Sequence, residues 1–122
     1  MEQCETKFDL EERTYEFARR VRALCKLPPP SIANTEDSRQ LIRSSGSVGA
    51  NYIEANEPLG TKDFLVHIKM CRKEAKESRY WLRLLDLDSK PELEIERQKL
   101  MQEATELLLI FAAIIRKRAN TS

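Results

Sequence analysis

Apolar residues recur along this chain at steps of three and four, the spacing that gathers side chains on one face of an α-helix turning about every 3.6 residues. The rhythm is longest over Phe64, Ile68, Cys71, Ala75, Ser78, Leu82 and Leu85, where steps of four and three alternate without a break. Leu10, Phe17, Val21 and Leu24 carry it upstream, and Leu93, Leu100, Ala104, Leu107, Phe111 and Ile114 carry it downstream. Between the first two stretches lie residues 40–55, in which Leu41, Ser44, Ser45, Val48, Tyr52 and Ala55 share one side. Gln40, Arg43, Ser47, Asn51 and Glu54 form a polar strip beside them. Ser44, Ser45, Gly46, Gly49 and Ala50 are small, several of them weak helix formers, so a helix that keeps them predicts close approach of neighbouring backbones.

The breaks between these stretches predict four helices. Pro28-Pro29-Pro30 cannot continue the first, which runs from Leu10 to about Lys26, because proline lacks the backbone donor and clashes with the preceding turn. Residues 1–8 read as a flexible arm, with Phe8 as a staple ahead of an Asp9 cap. Asn34-Thr35-Glu36-Asp37 predicts the start of the second helix, with Asn34 as N-cap, and the helix stops near Asn56-Glu57-Pro58. Thr61 caps the third, and Asp63 sits where the helix dipole favours a negative charge. The turn Asp86-Leu87-Asp88-Ser89-Lys90 leads to Pro91 at the first position of the fourth helix, and residues 119–122 form a tail. The fold class is therefore all-α, an antiparallel up-down-up-down four-helix bundle over residues 9–118.

The fourth helix carries more apolar surface than one bundle core needs. Met101, Leu108, Ala112 and Ile115 form a second stripe beside the first. They are candidates for an interface with another copy of the chain, unless the first helix or the N-terminal arm covers them.

At 122 residues the chain is one domain's worth, and a separate catalytic domain is not expected. The opening Met-Glu-Gln-Cys-Glu-Thr-Lys is charged and precedes no apolar run, unlike a secretory leader, and no stretch is apolar enough to span a membrane. Cys4, Cys25 and Cys71 are odd in number and widely spaced, which argues against a disulfide framework and for reduced thiols in a cytoplasm. His67 is the single histidine and has no glutamate three residues before it, so the paired Glu-x-x-His motifs of a di-iron bundle cannot be built. No metal or cofactor is expected. A carboxylate enzyme using Glu54, Glu74 and Glu77 is the remote alternative, since no phosphate loop or partner constellation accompanies them.

The polar strip has two readings. Gln40, Arg43, Ser47, Asn51 and Glu54, with Glu74 and Glu77 as candidate partners, form either a ligand or partner site or a hydrogen-bond network that sets helix register.

With 21 basic and 20 acidic residues the chain is almost neutral, so any electrostatic function depends on where the charges lie. Lys69, Arg72, Lys73, Lys76, Arg79 and Arg83 share an arc of roughly 120° on the third helix, a stripe that could follow a phosphate backbone or simply solvate the helix. Arg116-Lys117-Arg118 suits a helix C-terminus, where cations are favoured.

Gln40, Leu41, Arg43, Ser44, Ser45, Ser47, Val48, Ala50, Asn51 and Glu54 reproduce the pattern Gln-hydrophobic-x-Arg-small-small-x-Ser-Val/Ile-x-small-Asn-x-x-Glu. With Lys62-Asp63-Phe64 and the run from Lys73 to Leu82, that pattern resembles the bacterial four-helix-bundle proteins encoded by intervening sequences of large-subunit ribosomal RNA genes. The resemblance spans roughly residues 10–118, and Ala55 stands where many members have glycine. It implies a ring-like homopentamer with no assigned molecular function. The accessory protein of diversity-generating retroelements is a similar bundle, a basic pentamer that binds nucleic acid and a reverse transcriptase, whereas this chain is nearly neutral. The expectation is a non-enzymatic homo-oligomer that binds RNA, DNA or a protein partner through the basic stripe, or else a pure assembly scaffold.

Overall fold

The computed structural model describes residues 2–57 and 61–121, and the side chains of residues 10–57 and 63–120. Four helices follow one another: α1 (Glu2–Cys25), α2 (Ile32–Ala55), α3 (Thr61–Leu84) and α4 (Pro91–Thr121). Each packs against its sequence neighbours and α1 closes the ring on α4, while the diagonal pairs stay apart among the described residues. That is the up-down arrangement that short connections impose on antiparallel helices.

All four apolar stripes meet inside. The two largest fully buried side chains, Phe17 and Phe111, come from α1 and α4. Tyr52 tilts against Phe111 with ring centroids 6.1 Å apart, an offset aromatic geometry. The α3 stripe from Ile68 to Leu85 is buried as its spacing predicts, and Phe64 at its start is half-buried. Burial pushes the Cys71 thiol up to about 12, so it stays protonated and packs as a small apolar group.

The small residues of α2 do what their size allows. Ser44 and Ser78 pair their hydroxyls at 2.8 Å across the α2–α3 seam, and Cys71 Sγ donates to the Val48 carbonyl at 3.4 Å. On the other side a Cβ on Gly49 would lie 3.0 Å from Thr14 Oγ1 and 3.3 Å from Thr14 Cβ, so glycine sets the closeness of α1.

Two expectations need correction. Helix α1 is already formed at Glu2, so Asp9 is interior to it and not its cap. No proline or glycine interrupts residues 2–9, and a helix nucleated downstream extends through them at little cost. The proposed staple at Phe8 and the cap at Thr61 fall outside the described side chains. Helix α2 is capped by Ser31, whose Oγ accepts from the Asn34 amide at 3.0 Å, and not by Asn34. Asn34 is instead buried, with Nδ2 donating to the Pro29 and Asp86 carbonyls and Oδ1 accepting from the Asp86 amide, all at 2.9 Å. One side chain thus ties the α1–α2 connection to the α3–α4 connection. The turn between α3 and α4 stands where the sequence places it and adds a residue to the core: Asp88 and Ser89 adopt positive φ (58° and 54°), and Leu87 before them is buried.

Candidate nucleic-acid interface

Helix α3 carries seven basic residues against three acidic ones, so it holds a charge of +4 in a chain whose total is +1. Its apolar stripe points inward, so the arc of Lys69, Arg72, Lys73, Lys76, Arg79 and Arg83 lies on the outer side, with Lys76, Arg79 and Arg83 on the α3–α4 seam and Lys73 on the α2–α3 seam. All six are exposed except Arg79, which is half-buried. Arg79 donates through Nη1 to Thr105 Oγ1 of α4 at 3.0 Å, and that hydroxyl in turn donates to the Met101 carbonyl at 2.9 Å. The guanidinium is held in place by a neutral partner, which fixes its position and leaves its charge uncompensated.

Among the described residues, Lys69, Arg72, Lys76 and Arg83 form no ion pair. The arginines that do pair belong to α1 and α4: Arg13 with Glu103 and Glu106, Arg20 with Glu96, Arg19 with Glu16, and Arg97 with Glu94. Lys76, Arg79, Tyr80, Arg83 and Met101 line an open groove of about 460 Å³ between α3 and α4. Tyr80 is the wall residue that the spacing argument passed over. Its signal was present, because it lies four residues after Lys76 and three before Arg83.

The proposed oligomer stripe runs along the other wall. Met101, Leu108, Ala112 and Ile115 are all half-buried, partly covered by the bundle and partly open. Ile95 and Leu109, on the outer face of α4, are more exposed at 57% and 58%. At the far end Arg118 lies over the Phe64 ring, 4.2 Å from its centroid, a cation–π contact that gives this member of the C-terminal basic run a packing role.

The polar strip of α2 is split by the structure. Gln40, Arg43 and Ser44 join Lys73, Glu74 and Glu77 around a polar depression of about 200 Å³ on the α2–α3 seam. Desolvation raises the Glu74 carboxyl above its ordinary value and the neighbouring Glu77 adds to the rise, while Lys73 and Arg43 oppose it. Ser47 and Asn51 form a separate group, in which Asn51 Nδ2 donates to the Ser47 carbonyl at 2.9 Å and Asn51 Oδ1 lies 3.0 Å from His67 Nδ1. His67 Nε2 is 3.7 Å from Asp63 Oδ1. Glu54 is exposed and roughly two helical turns from Glu74, so the three carboxylates do not converge. Among the described residues no group of three His, Cys, Asp or Glu side chains is placed to hold a metal, and no helix is long and apolar enough to cross a membrane.

A family model described as 23S rRNA-intervening sequence protein matches residues 6–112. A crystal structure of a protein with unknown function from the S23 ribosomal protein family of Bacteroides thetaiotaomicron VPI-5482 is similar, with a TM-score of 0.73 and 28% sequence identity. The match covers 90% of this chain and 97% of that one. No curated protein matches the chain.

Proposed function

Because the chain belongs to the 23S rRNA-intervening sequence protein family, we propose that it is a non-enzymatic, cytoplasmic, oligomeric bundle that binds nucleic acid through the cationic wall of the α3–α4 groove. The observation that carries this reading is the row Lys69, Arg72, Lys76, Arg79 and Arg83 on α3, none of which forms an ion pair among the described residues. Like charges three and four residues apart destabilise a helix by roughly 0.2–0.5 kcal/mol per pair, so a row that repels itself works against the fold and calls for a partner. A phosphate backbone supplies one, and displaces condensed counterions as it binds. Arg79 is already positioned by Thr105, so it loses little side-chain freedom on meeting a phosphate.

The test is charge reversal at Arg72, Lys76 and Arg79 together. Wild type is expected to bind RNA and DNA oligonucleotides at low salt with a steep loss of affinity as salt rises, and the triple variant to bind on the order of 100-fold more weakly with a shallower slope. Equal binding by the two proteins would overturn the reading.

The assembly that goes with it is a homopentamer, as the family resemblance implies. The open apolar surface of α4, from Met101 through Leu108, Ala112 and Ile115 to the exposed Ile95 and Leu109, supports burial against a sister copy. Its solution mass should be about five times the 14.2 kDa of one chain, and a lone subunit at micromolar concentration would overturn it. The rival function is a protein-assembly scaffold. That rival gains if the pentamer forms and no oligonucleotide binds.

A further inference from the structure

We propose that the groove takes a single strand of nucleic acid, with one base stacked on Tyr80 and its flanking phosphates held by Lys76 and Arg83; this rests on the nucleic-acid reading above. A tyrosine is an unusual choice for a surface whose only task is to attract phosphate. Tyr80 is 56% exposed, yet its ring is not loose, because it packs edge-on against Trp81 with centroids 5.2 Å apart and planes at 71°. A ring fixed in this way offers area at low entropic cost, the property that makes aromatic side chains effective stacking platforms.

Its setting fits one nucleotide. Lys76 lies one turn before Tyr80 and Arg83 one turn after it, so cations stand on both sides of the ring along the helix. Arg79, anchored by Thr105, stands in the same groove. Basic side chains that follow the backbone, with an aromatic ring set between them, are the recurring arrangement of single-strand binding. A duplex keeps its bases stacked on one another and presents phosphate outward, so it could use the cations of α3 but would gain nothing from Tyr80. Nothing in the groove requires a 2′-hydroxyl, so RNA and DNA strands should bind alike.

The experiment compares wild type, Tyr80→Ala and Tyr80→Phe for binding to oligo(U), oligo(dT) and a duplex of matched length at low salt. Tyr80→Ala should weaken both single strands on the order of 10-fold, Tyr80→Phe should retain wild-type affinity, and duplex binding should not change. Trp81, the single tryptophan, touches Tyr80 and gives a second readout: its emission should change when a single strand binds and stay constant with duplex. The side chain is mostly exposed, so unchanged helical CD should accompany the loss. If Tyr80→Ala binds single strands as wild type does while reversal of Arg72, Lys76 and Arg79 abolishes binding, the stacking proposal is wrong and the basic-surface reading stands. If no substitution affects binding, or wild type binds no oligonucleotide, both are overturned.

Discussion

Along the α1–α4 seam, Arg13 donates to Glu103 at 3.0 and 2.7 Å and reaches Glu106 at 3.0 Å, and Arg20 grips Glu96 with two bonds of 3.1 Å. Along the α3–α4 seam, Lys76, Arg79 and Arg83 face Met101 and Thr105, and no carboxylate answers them among the described residues. Both seams set cations against the same helix. What differs is the flank that α4 presents: Glu96, Glu103 and Glu106 lie on one side, while Met101, Leu108, Ala112 and Ile115 lie on the other. A positive side chain in a bundle is therefore structural or available according to what stands across the seam, and a near-zero net charge can conceal a surface with no neutralising partner.

One cation on the α3–α4 seam is structural, and it comes from α4. Arg97 donates through Nη1 to the carbonyls of Leu82, at 2.9 Å, of Arg83, at 3.2 Å, and of Leu85, and its other nitrogens hold Glu94. It closes the C-terminal end of α3, whose last carbonyls have no intrahelical donors. Only 11% of its side chain is exposed. Arg97→Ala should give the largest stability loss of this set, about 3 kcal/mol in chemical denaturation followed by CD, because charge-assisted bonds are removed and carbonyls lose their donor. A loss below about 1 kcal/mol would mean that water replaces the guanidinium freely.

The next effect belongs to the paired seam. Arg13→Met should cost about 1–2 kcal/mol, since a half-buried, two-pronged arginine–carboxylate pair exceeds the usual surface value. A double-mutant cycle with Glu103→Gln should return a coupling of about 1 kcal/mol by the same denaturation assay. Arg72→Met on α3 should change stability by less than about 0.5 kcal/mol, and toward greater stability, because it relieves repulsion from Lys69 and Lys76. Should Arg72→Met cost as much as Arg13→Met, the contrast between the two seams would be broken.

The α3 core was readable because its apolar residues keep step from Phe64 to Leu85, and helical periodicity is a local property that a chain carries on its face. The close packing of α2 was readable for the same reason, since Ser44 and Gly49 are small wherever they sit. The roles set by distant residues were not. Ser31 and Asn34 are both good capping types, and what decides between them is Asp86, which binds Asn34 from the far connection. Leu87 lies in a turn with no periodicity to mark it as buried. The cations of α1 and α3 look alike in one dimension, and only the register of α4 separates paired from unpaired. The polar strip looked continuous on a wheel, yet Glu54 stands away from Glu74, because a wheel projects out distance along the axis.

The smallest effect tests the α2–α3 seam, where cation and carboxylate share a depression without a close ion pair. The Glu74 carboxyl is raised above its ordinary 4.5, first by desolvation and then by Glu77. A carboxyl raised by folding binds its proton more tightly in the native state than in the unfolded chain, so native stability is highest below the unfolded value and falls as pH rises through the folded one. In wild type this gives a shallow decline of the urea midpoint in the window just above pH 4.5, which levels off once Glu74 is ionised in both states. Glu74→Gln removes the titration, so its midpoint should lie flatter across that window and match or slightly exceed wild type at neutral pH. The same substitution takes away a carboxylate that shares the depression with Lys73 and should raise low-salt affinity for single strands slightly, opposite in sign to charge reversal on α3. If the two proteins decline in parallel from pH 4.5 upward, Glu74 is solvated like any surface glutamate, and Lys73 counts among the free cations of the stripe.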